Sequence, residues 1–553
     1  MRPNILFINL PSIPYVSIIE SFHNNNKIMQ DSVLPLGILY CSSYLKKYGH
    51  PGKVGLIDYS RHIANVGNFR DFNEFVVKIA ENHKGFDADI IAFSLIYSIS
   101  HLFYLKCLDV VKSFWPDATI VVGGTHAHNC AKHLLERKEA DYVVKGEGEL
   151  SFCDFVEQFS RSEEIYVKGV YSLRDIQSGN HLESGDYLMD LDEYPYPDWS
   201  LVDMGFYINK RGHERHIGDG TKRRSAEVMT TRGCYFKCTF CSSHTVHGRK
   251  MRYHSNENVI AEMRKLYETY GVTYFVVEDD LFTANRVRVI SLLKAFKKAA
   301  IPGFKLECPN GLSVNTLNEE VCDALIDAGM NIFQLAIESG SKHVQKNIIK
   351  KNVNLQKAGD IVKYLKKRNI TVRCYFILGF PGETKDMMLE TINLAKNMEF
   401  DWSTFAVATP LIGTEMYNQF VEKGVISNEL DYWSKSPFSS REFDTDEFTA
   451  EELNEFVYRV NLDVNFIHNP NLTNGHYEKA LDIFNDILDA YPFHIIALSC
   501  LIKCYEGLKN FERAHEVKKK LLKLLENDKR SQDMYAKHSD LVPEEHVTVN
   551  SSV

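Results

Sequence analysis

Residues 233–243 read GCYFKCTFCSS, and this stretch decides how the fold and the site are interpreted. Cys234, Cys238 and Cys241 lie within it, and the next cysteine is Cys308, so the local group has three thiols. We call these three residues the cysteine triad. Thiolates select iron–sulfur clusters, zinc or cuprous copper. Because a cubane cluster usually takes four thiolates, three local ones would leave one iron open to another ligand.

The chain that follows the triad alternates between strand-like and helix-like patterns. We predict six strands, AEVMTT (from 226), TYFVVED (273), FKLECP (304), NIFQLAI (331), TVRCYFIL (371) and STFAVATP (403). Six βα units in about 190 residues predict a partial (βα)6 barrel, shorter than the usual eight-unit barrel. Polar residues and glycines follow the strands, at 278–280, 308–310, 338–341 and 379–383. Because barrel active sites form at the carboxyl ends of strands, we expect a site there.

The chain before the triad predicts a Rossmann-like, doubly wound parallel sheet. Five short apolar runs, ILFINL (from 5), VGLID (54), IIAFSL (90), TIVVGG (119) and YVVKGEGE (142), are separated by helical patterns. Ligands of such sheets bind outside the carboxyl ends of the strands. Gly123, Gly124, Gly146 and Gly148 fall there, where glycine lets a backbone approach a large ligand. Ordinary strand-to-helix turns are the alternative explanation.

These patterns divide the α/β chain into four parts. We expect a sheet domain at 1–160, a linker at 161–222, the barrel at 223–425 and a helical domain at 426–553. In the last part YEKALDIFNDIL (from 477) and FERAHEVKKKLL (from 511) repeat at a spacing of 34, which is typical of a tetratricopeptide repeat. So few repeats are rarely stable alone, so we expect these helices to pack on the barrel or on a protein partner.

Composition sets the broad class of protein. The chain has 553 residues, 44% hydrophobic and 25% charged, as in ordinary globular proteins. With a net charge of -9, the chain lacks the excess of basic residues that is typical of proteins that bind nucleic acid. The longest apolar stretch, from Ile90, is interrupted by serines and is short of the ~20 residues that span a membrane. Twelve cysteines without a secretion signal predict free thiols in a reducing compartment, hence a cytoplasmic protein.

Zinc is the main competitor for the triad. A structural zinc ion takes four tetrahedral ligands, and His244 or His247 could supply the fourth. A zinc site, however, would not explain polar groups at the ends of the other strands. A cluster with an open iron explains them, because its further ligand must be held by the protein. We therefore favour the cluster.

The motifs resemble those of a known family. The C-x3-C-x2-C spacing, with Phe240 before the last cysteine, resembles the radical S-adenosylmethionine (SAM) superfamily. FVVEDDLF, IESGS and ILGFPGET resemble the subgroup with an N-terminal cobalamin-binding domain, as do PLGILYCSSYLKKYGH, SLIYSIS, VVGGTHAH and GEGE. The resemblance covers residues 1 to about 425. It implies that a [4Fe-4S] cluster on the triad binds the amino and carboxylate groups of SAM and cleaves SAM to a 5′-deoxyadenosyl radical.

The same resemblance assigns candidate ligands. For SAM it implies Phe240, Glu278, Asp279, Glu338, Ser339 and Gly379. For cobalamin it implies Leu36, Gly37, Ser94, Tyr97, Ser98, Gly123, Gly124, Thr125, Gly146, Glu147 and Gly148. The D-x-H-x-x-G motif that supplies a histidine to cobalt in many cobalamin proteins is absent from the sequence, as is common in this subgroup. Cobalamin bound without a protein histidine, and a domain that has lost the cofactor, both remain open.

The resemblance also implies a reaction. We expect a cobalamin-dependent radical SAM methyltransferase acting on an unactivated carbon of a small molecule. A cobalamin-dependent cyclase or rearranging enzyme, a radical SAM enzyme with a vestigial cobalamin domain, and a zinc-stabilised protein-binding scaffold are the alternatives. Expected partners are the small-molecule substrate, an electron donor such as flavodoxin or ferredoxin, and a protein at the C-terminal helices.

Several other residues invite a functional interpretation. Cys308 and Cys374 follow or lie on predicted strands, but a buried apolar role is favoured over hydrogen-atom donation. Cys500 and Cys504 are one helical turn apart, and core packing is favoured over metal binding. His126 and His128 follow the glycine pair, and we expect them to line the nucleotide loop or to face solvent.

Overall fold

The computed structural model describes residues 2–24, 28, 33–209, 224–426, 429–435 and 440–548. Within them are fourteen strands: β1 (Ile5–Asn9), β2 (Val54–Asp58), β3 (Ile90–Ser94), β4 (Thr119–Gly123), β5 (Tyr142–Val144), β6 (Val170–Tyr171), β7 (Ser225–Val228), β8 (Thr231–Arg232), β9 (Arg252–Tyr253), β10 (Tyr274–Val277), β11 (Lys305–Glu307), β12 (Ile332–Glu338), β13 (Thr371–Leu378) and β14 (Trp402–Val407). Each of the eleven predicted runs overlaps one of them.

The α-helices of the described residues are α1 (Tyr15–Asn24), α2 (Leu36–Tyr44), α3 (Tyr59–His62), α4 (Phe72–Glu81), α5 (His101–Phe114), α6 (Thr125–Asn129), α7 (Ala131–Glu136), α8 (Gly148–Ser160), α9 (Leu173–Gln177), α10 (Met204–Ile208), α11 (Ser243–His247), α12 (Asn256–Tyr270), α13 (Arg286–Ala299), α14 (Glu319–Asp327), α15 (Leu355–Lys366), α16 (Lys385–Asn397), α17 (Glu415–Glu422), α18 (Glu429–Lys435), α19 (Ala450–Leu462), α20 (Pro470–Thr473), α21 (Tyr477–Ala490), α22 (Ile495–Gly507), α23 (Phe511–Asn527), α24 (Lys529–His538) and α25 (Glu544–Val547). None of them is long and apolar enough to cross a membrane.

The first sheet is mixed but mostly parallel. Its strand order is β2-β1-β3-β4-β5-β6, and only β6 pairs antiparallel to its neighbour. All five residues of β1 are buried, because helices cover both faces of the sheet. The sheet extends past residue 160, since β6 lies in the segment expected to be a linker and pairs with Val143 and Val144.

The second half of the α/β region contains two parallel three-stranded sheets. Their orders are β11-β10-β7 and β12-β13-β14, and an isolated parallel bridge joins Leu312 to Leu335 between them. Each βα unit has local start and stop signals. In α12, for example, Ser255 Oγ accepts the amide hydrogen of Asn258, and Gly271 ends the helix with a φ of 68°. Mixed α/β architecture with parallel sheets is therefore confirmed.

The C-terminal helices pack on the edge strand β14. Asn465 pairs with the backbone of Ser403 through two hydrogen bonds of 2.7 Å. Leu453 and Val457 of α19 belong to the hydrophobic core of the preceding sheets. An uncovered edge strand invites unwanted pairing, so this docking also protects it. Cys500 and Cys504 are buried among the C-terminal helices, as expected for core residues.

Candidate active site and cofactor pocket

The cysteine triad lies on a loop that the short antiparallel pair β8–β9 closes. Only glycine fits directly before it: Gly233 has a φ of 94°, and a Cβ there would collide with the carbonyl oxygen of Lys250. Within the loop the amide of Cys234 donates to Gly248 O at 3.3 Å. Thr239 donates from its amide to Ile349 O at 3.2 Å, which ties the loop to the chain after β12.

The spacing of the thiols distinguishes a cluster from a single ion. Among the described residues, the three Sγ atoms do not all lie within 4.8 Å of one another. A tetrahedral zinc ion with bonds of about 2.3 Å needs sulfurs roughly 3.8 Å apart, whereas cluster cysteines bind separate irons. His247, a candidate fourth zinc ligand, instead places Nδ1 2.8 Å from Glu147 Oε1. The donor set therefore fits an iron–sulfur cluster.

Burial raises the pKa of the triad thiols. The pKa reaches about 11 for Cys238 and about 12 for Cys241, and for both thiols burial is the first cause. Metal coordination must therefore drive their deprotonation, as it does for thiolate ligands in general.

Two predicted SAM ligands, Glu338 and Ser339, lie at the end of β12 and directly after it. Glu338 ends β12 with a φ of 68°, a left-handed backbone that costs a non-glycine residue about 1–2 kcal/mol. Its carboxylate is buried and accepts a hydrogen bond of 2.7 Å from Lys351. Ser339 is also buried, but its hydroxyl contacts Thr391 at 3.1 Å and so faces α16. Strain of this kind is typical of functional positions.

The Gly379 loop meets the triad loop through aromatic rings. The rings of Phe240 and Phe380 lie 5.8 Å apart, so the predicted SAM residues Phe240 and Gly379 approach each other. Glu383 holds the loop, because its Oε2 accepts the amide hydrogens of Gly379 at 2.7 Å and Phe380 at 3.0 Å. Arg441 donates to the carbonyl oxygen of Gly379 from the other side.

The remaining SAM candidates differ in what they contact. The buried Asp279 carboxylate accepts hydrogen bonds from Thr230 and Thr231, at 2.6 Å and 3.0 Å from their amides, and thereby supports the turn before the triad. Glu278 is half-buried and accepts a 3.1 Å hydrogen bond from Asn310. The buried thiols of Cys308 and Cys374 agree with the favoured core role.

Most of the predicted cobalamin residues line one pocket at the carboxyl edge of the first sheet. Nine of the eleven do so: Leu36, Gly37, Ser94, Gly123, Gly124, Thr125, Gly146, Glu147 and Gly148. Met229, Arg232, Val246 and His247, which flank the triad loop, line the same pocket. Tyr97 and Ser98 are not among the lining residues.

Glycine is needed at two positions of this pocket for different reasons. A Cβ on Gly37 would meet no protein atom within 4 Å, so open space faces this position. Gly124 has a φ of 105°, and a Cβ there would lie 2.7 Å from Leu95 O. The first glycine leaves room for a ligand, and the second permits the turn. A glycine-lined cradle of this kind fits a large flat group such as cobalamin.

His126 and His128 are buried at 1% and 7% exposure, which excludes the second of the two expected alternatives, that they face solvent. Both lie on α6, which turns them toward the interior. His126 Nδ1 lies 2.8 Å from Ser98 Oγ, and His128 Nδ1 accepts the amide hydrogen of Gly146 at 2.8 Å. Both histidines therefore brace loops beside the pocket.

A buried ion cluster joins the two halves of the site. Glu147 lies 3.2 Å from Arg232 and accepts a 2.9 Å hydrogen bond from Arg252, while Glu149 accepts one of 2.7 Å from Arg232. Burial alone would raise the pKa of Glu147, but Arg232, Arg252 and His247 hold it well below its usual range. Sequence reasoning missed this cluster, because its members are 83–105 residues apart. Glu147 is thus engaged with the triad side of the pocket.

Models of two known families match the chain. The model described as the Radical SAM superfamily matches residues 228–395, and the B12 binding domain matches residues 30–156. The first match contains the cysteine triad, and the second contains the glycines of the pocket.

Individual proteins agree with these matches. The chain is 27% identical to cytidylyl-2-hydroxyethylphosphonate methyltransferase of Streptomyces wedmorensis, over 71% of this chain and 79% of that protein. It is 29% identical to an uncharacterised methyltransferase of Pyrococcus horikoshii, over 77% and 86%. The structure of OxsB, a cobalamin-dependent S-adenosylmethionine radical enzyme with aqua-cobalamin bound, aligns with a TM-score of 0.65 and 16% identity, over 98% of this chain and 84% of that one. That last likeness concerns the fold.

The fold and the site define a class of protein in which a sheet domain with a glycine-lined pocket precedes a three-cysteine cluster domain. The two family matches carry the assignment one step further. The chain therefore contains a radical SAM domain and, before it, a B12-binding domain.

Proposed function

We propose that the protein is a cobalamin-dependent radical SAM methyltransferase that acts on an unactivated carbon of a small molecule. One observation carries the proposal: residues flanking the triad loop, such as Met229 and Val246, line the same pocket as Gly37 and Gly124 of the B12-binding domain. A methyl donor and a radical source would thus face one substrate space. The methyltransferase relatives support the same reaction.

The cofactors of this enzyme are a [4Fe-4S] cluster, SAM and cobalamin. When bound, the cluster and SAM supply a carbon-centred radical and cobalamin supplies the methyl group. The residues of the chain bind and orient these groups and exclude water. The buried Glu147–Arg232 pair fixes the triad loop against the pocket, so that the two cofactor sites keep a constant relation.

For SAM, we propose that Cys234, Cys238 and Cys241 hold the cluster that it binds. Glu338 and Glu278 are proposed to accept hydrogen bonds from SAM, because ionised oxygens form strong, charge-assisted ones. Phe240 and the backbone at Gly379 are proposed to flank adenine. Asp279 and Ser339 are proposed to act through the loops that they support, since both side chains already have protein partners.

For cobalamin, we propose that the nine pocket-lining residues named above surround the corrinoid. Gly37 and Gly123 would let it approach the backbone, and Glu147 and Gly148 would border it on the triad side. Tyr97 and Ser98 are proposed to reach it from the loop after β3. Because the D-x-H-x-x-G motif is absent from the sequence, we propose that cobalamin binds without a protein imidazole ligand.

The finer architecture is also a proposal. We propose that the two three-stranded sheets form one partial (βα)6 barrel, supported by the bridge between Leu312 and Leu335. The division into 1–160, 161–222, 223–425 and 426–553 is kept, with β6 contributed to the first sheet from the linker. A cytoplasmic location, a flavodoxin or ferredoxin as electron donor, no nucleic-acid partner and a protein partner at the C-terminal helices complete the proposal.

Product analysis tests the reaction. The protein is reconstituted anaerobically with iron, sulfide and hydroxocobalamin, and then incubated with SAM, a reductant and candidate substrates. A methyltransferase should release both 5′-deoxyadenosine and S-adenosylhomocysteine. If 5′-deoxyadenosine forms with substrate and cobalamin present, but S-adenosylhomocysteine never does, methyl transfer is refuted and the cyclase is favoured. Absence of bound corrinoid would favour a vestigial cobalamin domain, and absence of iron and sulfide would favour the zinc-stabilised scaffold.

A further inference from the structure

A second group of potential metal ligands lies inside the N-terminal sheet domain. His101 begins α5, His133 lies on α7, and Glu139 lies in the turn between α7 and β5. Their side chains converge on one point, since one ring nitrogen of each histidine and one carboxylate oxygen of the glutamate all lie within 4.8 Å of one another. We call these three residues the histidine site. None of them takes part in the active site described above.

The distances within the histidine site suit a single ion. His101 Nε2 lies 3.3 Å and His133 Nε2 lies 3.9 Å from Glu139 Oε2. Zinc bonds to nitrogen and carboxylate oxygen are about 2.0–2.2 Å, which sets ligand atoms roughly 3.3–3.6 Å apart in a tetrahedron. The observed separations bracket this range. Two imidazoles and one carboxylate also match the ligands of open divalent metal sites.

The three converging atoms face one another. Among the residues that the structure describes, His101 Nε2, His133 Nε2 and Glu139 Oε2 are buried and have no hydrogen-bond partner outside the histidine site, while His101 Nε2 and Glu139 Oε2 lie 3.3 Å apart. His101 is 0% exposed. Unpartnered polar atoms in an interior weaken the fold, so three at one point require an explanation. A bound cation would satisfy all three at once.

Two of the three ligands, His101 and Glu139, are oriented by hydrogen bonds on the side away from the metal position, as metal ligands usually are. His101 Nδ1 lies 2.9 Å from His126 Nε2, and His126 Nδ1 lies 2.8 Å from Ser98 Oγ. With His101 bound to a metal through Nε2, its Nδ1–H donates to His126. Glu139 Oε1 accepts a 2.9 Å hydrogen bond from Arg137, which turns Oε2 toward the histidines.

A tryptophan covers the site. The ring of Trp433 in α18 lies 5.1 Å from His101 and 4.9 Å from His133. Trp433 is 1% exposed, so it shields the site from water. The side chain of His133 is 21% exposed, which leaves a path by which an ion can enter.

We propose that His101, His133 and Glu139 bind one divalent transition-metal ion, Zn²⁺ or Fe²⁺, in the N-terminal domain. The ion fastens the start of α5, α7 and the turn before β5 to one another. Through His126 and Ser98 it also braces the loop after β3, which borders the cobalamin pocket. This site is separate from the cysteine triad and does not depend on the proposed reaction.

Metal analysis of the full chain tests the proposal. The triple variant Cys234→Ala/Cys238→Ala/Cys241→Ala removes the cluster ligands, so any remaining metal is held elsewhere. After incubation with Zn²⁺ or anaerobic Fe²⁺ and dialysis, we expect about one ion per chain. Adding His133→Ala or Glu139→Gln should lower the content at least about tenfold. His83→Ala, which changes a half-buried histidine elsewhere in the same domain, should leave it unchanged.

Cobalt provides a readout that does not depend on a variant that folds poorly. Co²⁺ added to the triple variant should give the visible d–d absorption of a low-coordinate nitrogen–oxygen site, and one equivalent of Zn²⁺ should abolish it. Metal below about one tenth of an ion per chain, with no cobalt absorption, would overturn the proposal. Metal that is fully retained in both folded variants would overturn it as well.

Discussion

The cysteine triad and the histidine site contrast in spacing and in surroundings. The triad thiols are half-buried, are not all within 4.8 Å of one another, and lie on a loop braced by residues from distant parts of the chain. In the histidine site the ligand atoms are close together, and all three residues come from 39 consecutive residues of one domain. Wide spacing suits a cluster, and close spacing suits one ion.

The contrast shows how an open reactive site differs from a closed structural one. An iron that binds SAM must face a cavity. The loop that carries the cysteine triad therefore cannot be fully buried, and burial cannot be what stabilises it. Supports such as Glu147, Glu338 and Glu383 perform that task from outside. We therefore expect variants of these supports to disturb the triad while leaving the metal content of the histidine site unchanged.

The largest effect is expected from the triad itself. In Cys241→Ala, iron should fall from about four per chain to near zero, because a cubane does not persist on two cysteines. Formation of 5′-deoxyadenosine should stop. Iron, sulfide and zinc are measured on the same sample, together with product chromatography. Cys322→Ala, which changes a buried thiol on α14, should keep the iron, and a cluster retained in Cys241→Ala would disprove the ligand assignment.

The next largest effect concerns the ion cluster between the domains. Glu147→Gln leaves Arg232 and Arg252 buried without their shared carboxylate, which should cost about 3–5 kcal/mol near pH 7. The folded-state pKa of Glu147 is depressed, so its stabilisation is present above about pH 4.5 and is lost as the pH falls through the folded value. The deficit of Glu147→Gln should therefore shrink in acid.

Thermal unfolding from about pH 2.5 to pH 8 measures this deficit, because the contribution of Glu147 is lost only below about pH 4.5. Glu157→Gln is the matched control, since Glu157 lies on α8, the helix that Glu147 directly precedes, and is half exposed. An equal loss in the two variants, or a deficit that grows in acid, would contradict the role of the cluster. The histidine site should keep its ion in both.

The sequence was sufficient for features that are local. All eleven long strands have apolar runs of their own, and the triad and the pocket glycines have fixed spacings. The strands β6, β8 and β9 have two residues each and carry no periodic signal. The Glu147–Arg232 pair could not be predicted, because 85 residues separate its members and only the fold brings them together.

The histidine site was partly predictable from the sequence. His126, Cys130 and His133 recur at helical spacing, which could have indicated one buried face. His101 comes from another helix, and Glu139 from a turn. The sequence could not decide whether His126 and His128 line a loop or face solvent, because their burial depends on how α6 packs beside α5, and no local pattern records that packing.

A smaller effect is expected at the Gly379 loop. Burial raises the pKa of Glu383 to about 7, although the amides of Phe380 and Gly379 oppose this. A folded pKa above the unfolded value means that the group's contribution is full below about pH 4.5 and is lost as the pH rises through about 7. The free energy of unfolding of wild type should therefore fall by about 2 kcal/mol between pH 5 and pH 8. That of Glu383→Gln should not show this fall.

The measurement compares unfolding at pH 5 and pH 8. The uncharged amide of Glu383→Gln can still accept the amide hydrogens of Gly379 and Phe380, so the loop should stay in place. The exposed neighbour Glu390→Gln should follow wild type at both values. A pH slope that is identical in all three proteins would show that Glu383 is ionised in the folded state throughout.

The smallest effect is expected at two glycines of the cofactor pocket, Gly37 and Gly124, where glycine is needed for different reasons. Gly37→Leu places a side chain where a Cβ meets no protein atom within 4 Å, so the fold should tolerate it. The side chain would occupy the pocket, and hydroxocobalamin should bind at least about tenfold more weakly, or about 1.4 kcal/mol. Gly124→Ala should instead lower the thermal midpoint, because its backbone is left-handed and Leu95 O is too close. Corrinoid absorbance after gel filtration reports the first change and thermal unfolding the second.

The same variant tests whether the cofactor pocket and the histidine site are independent. Neither glycine contacts His101, His133 or Glu139, so Gly37→Leu should keep the metal of the histidine site. A loss of that metal would mean that the two regions are coupled more tightly than the hydrogen bond between His126 and Ser98 implies.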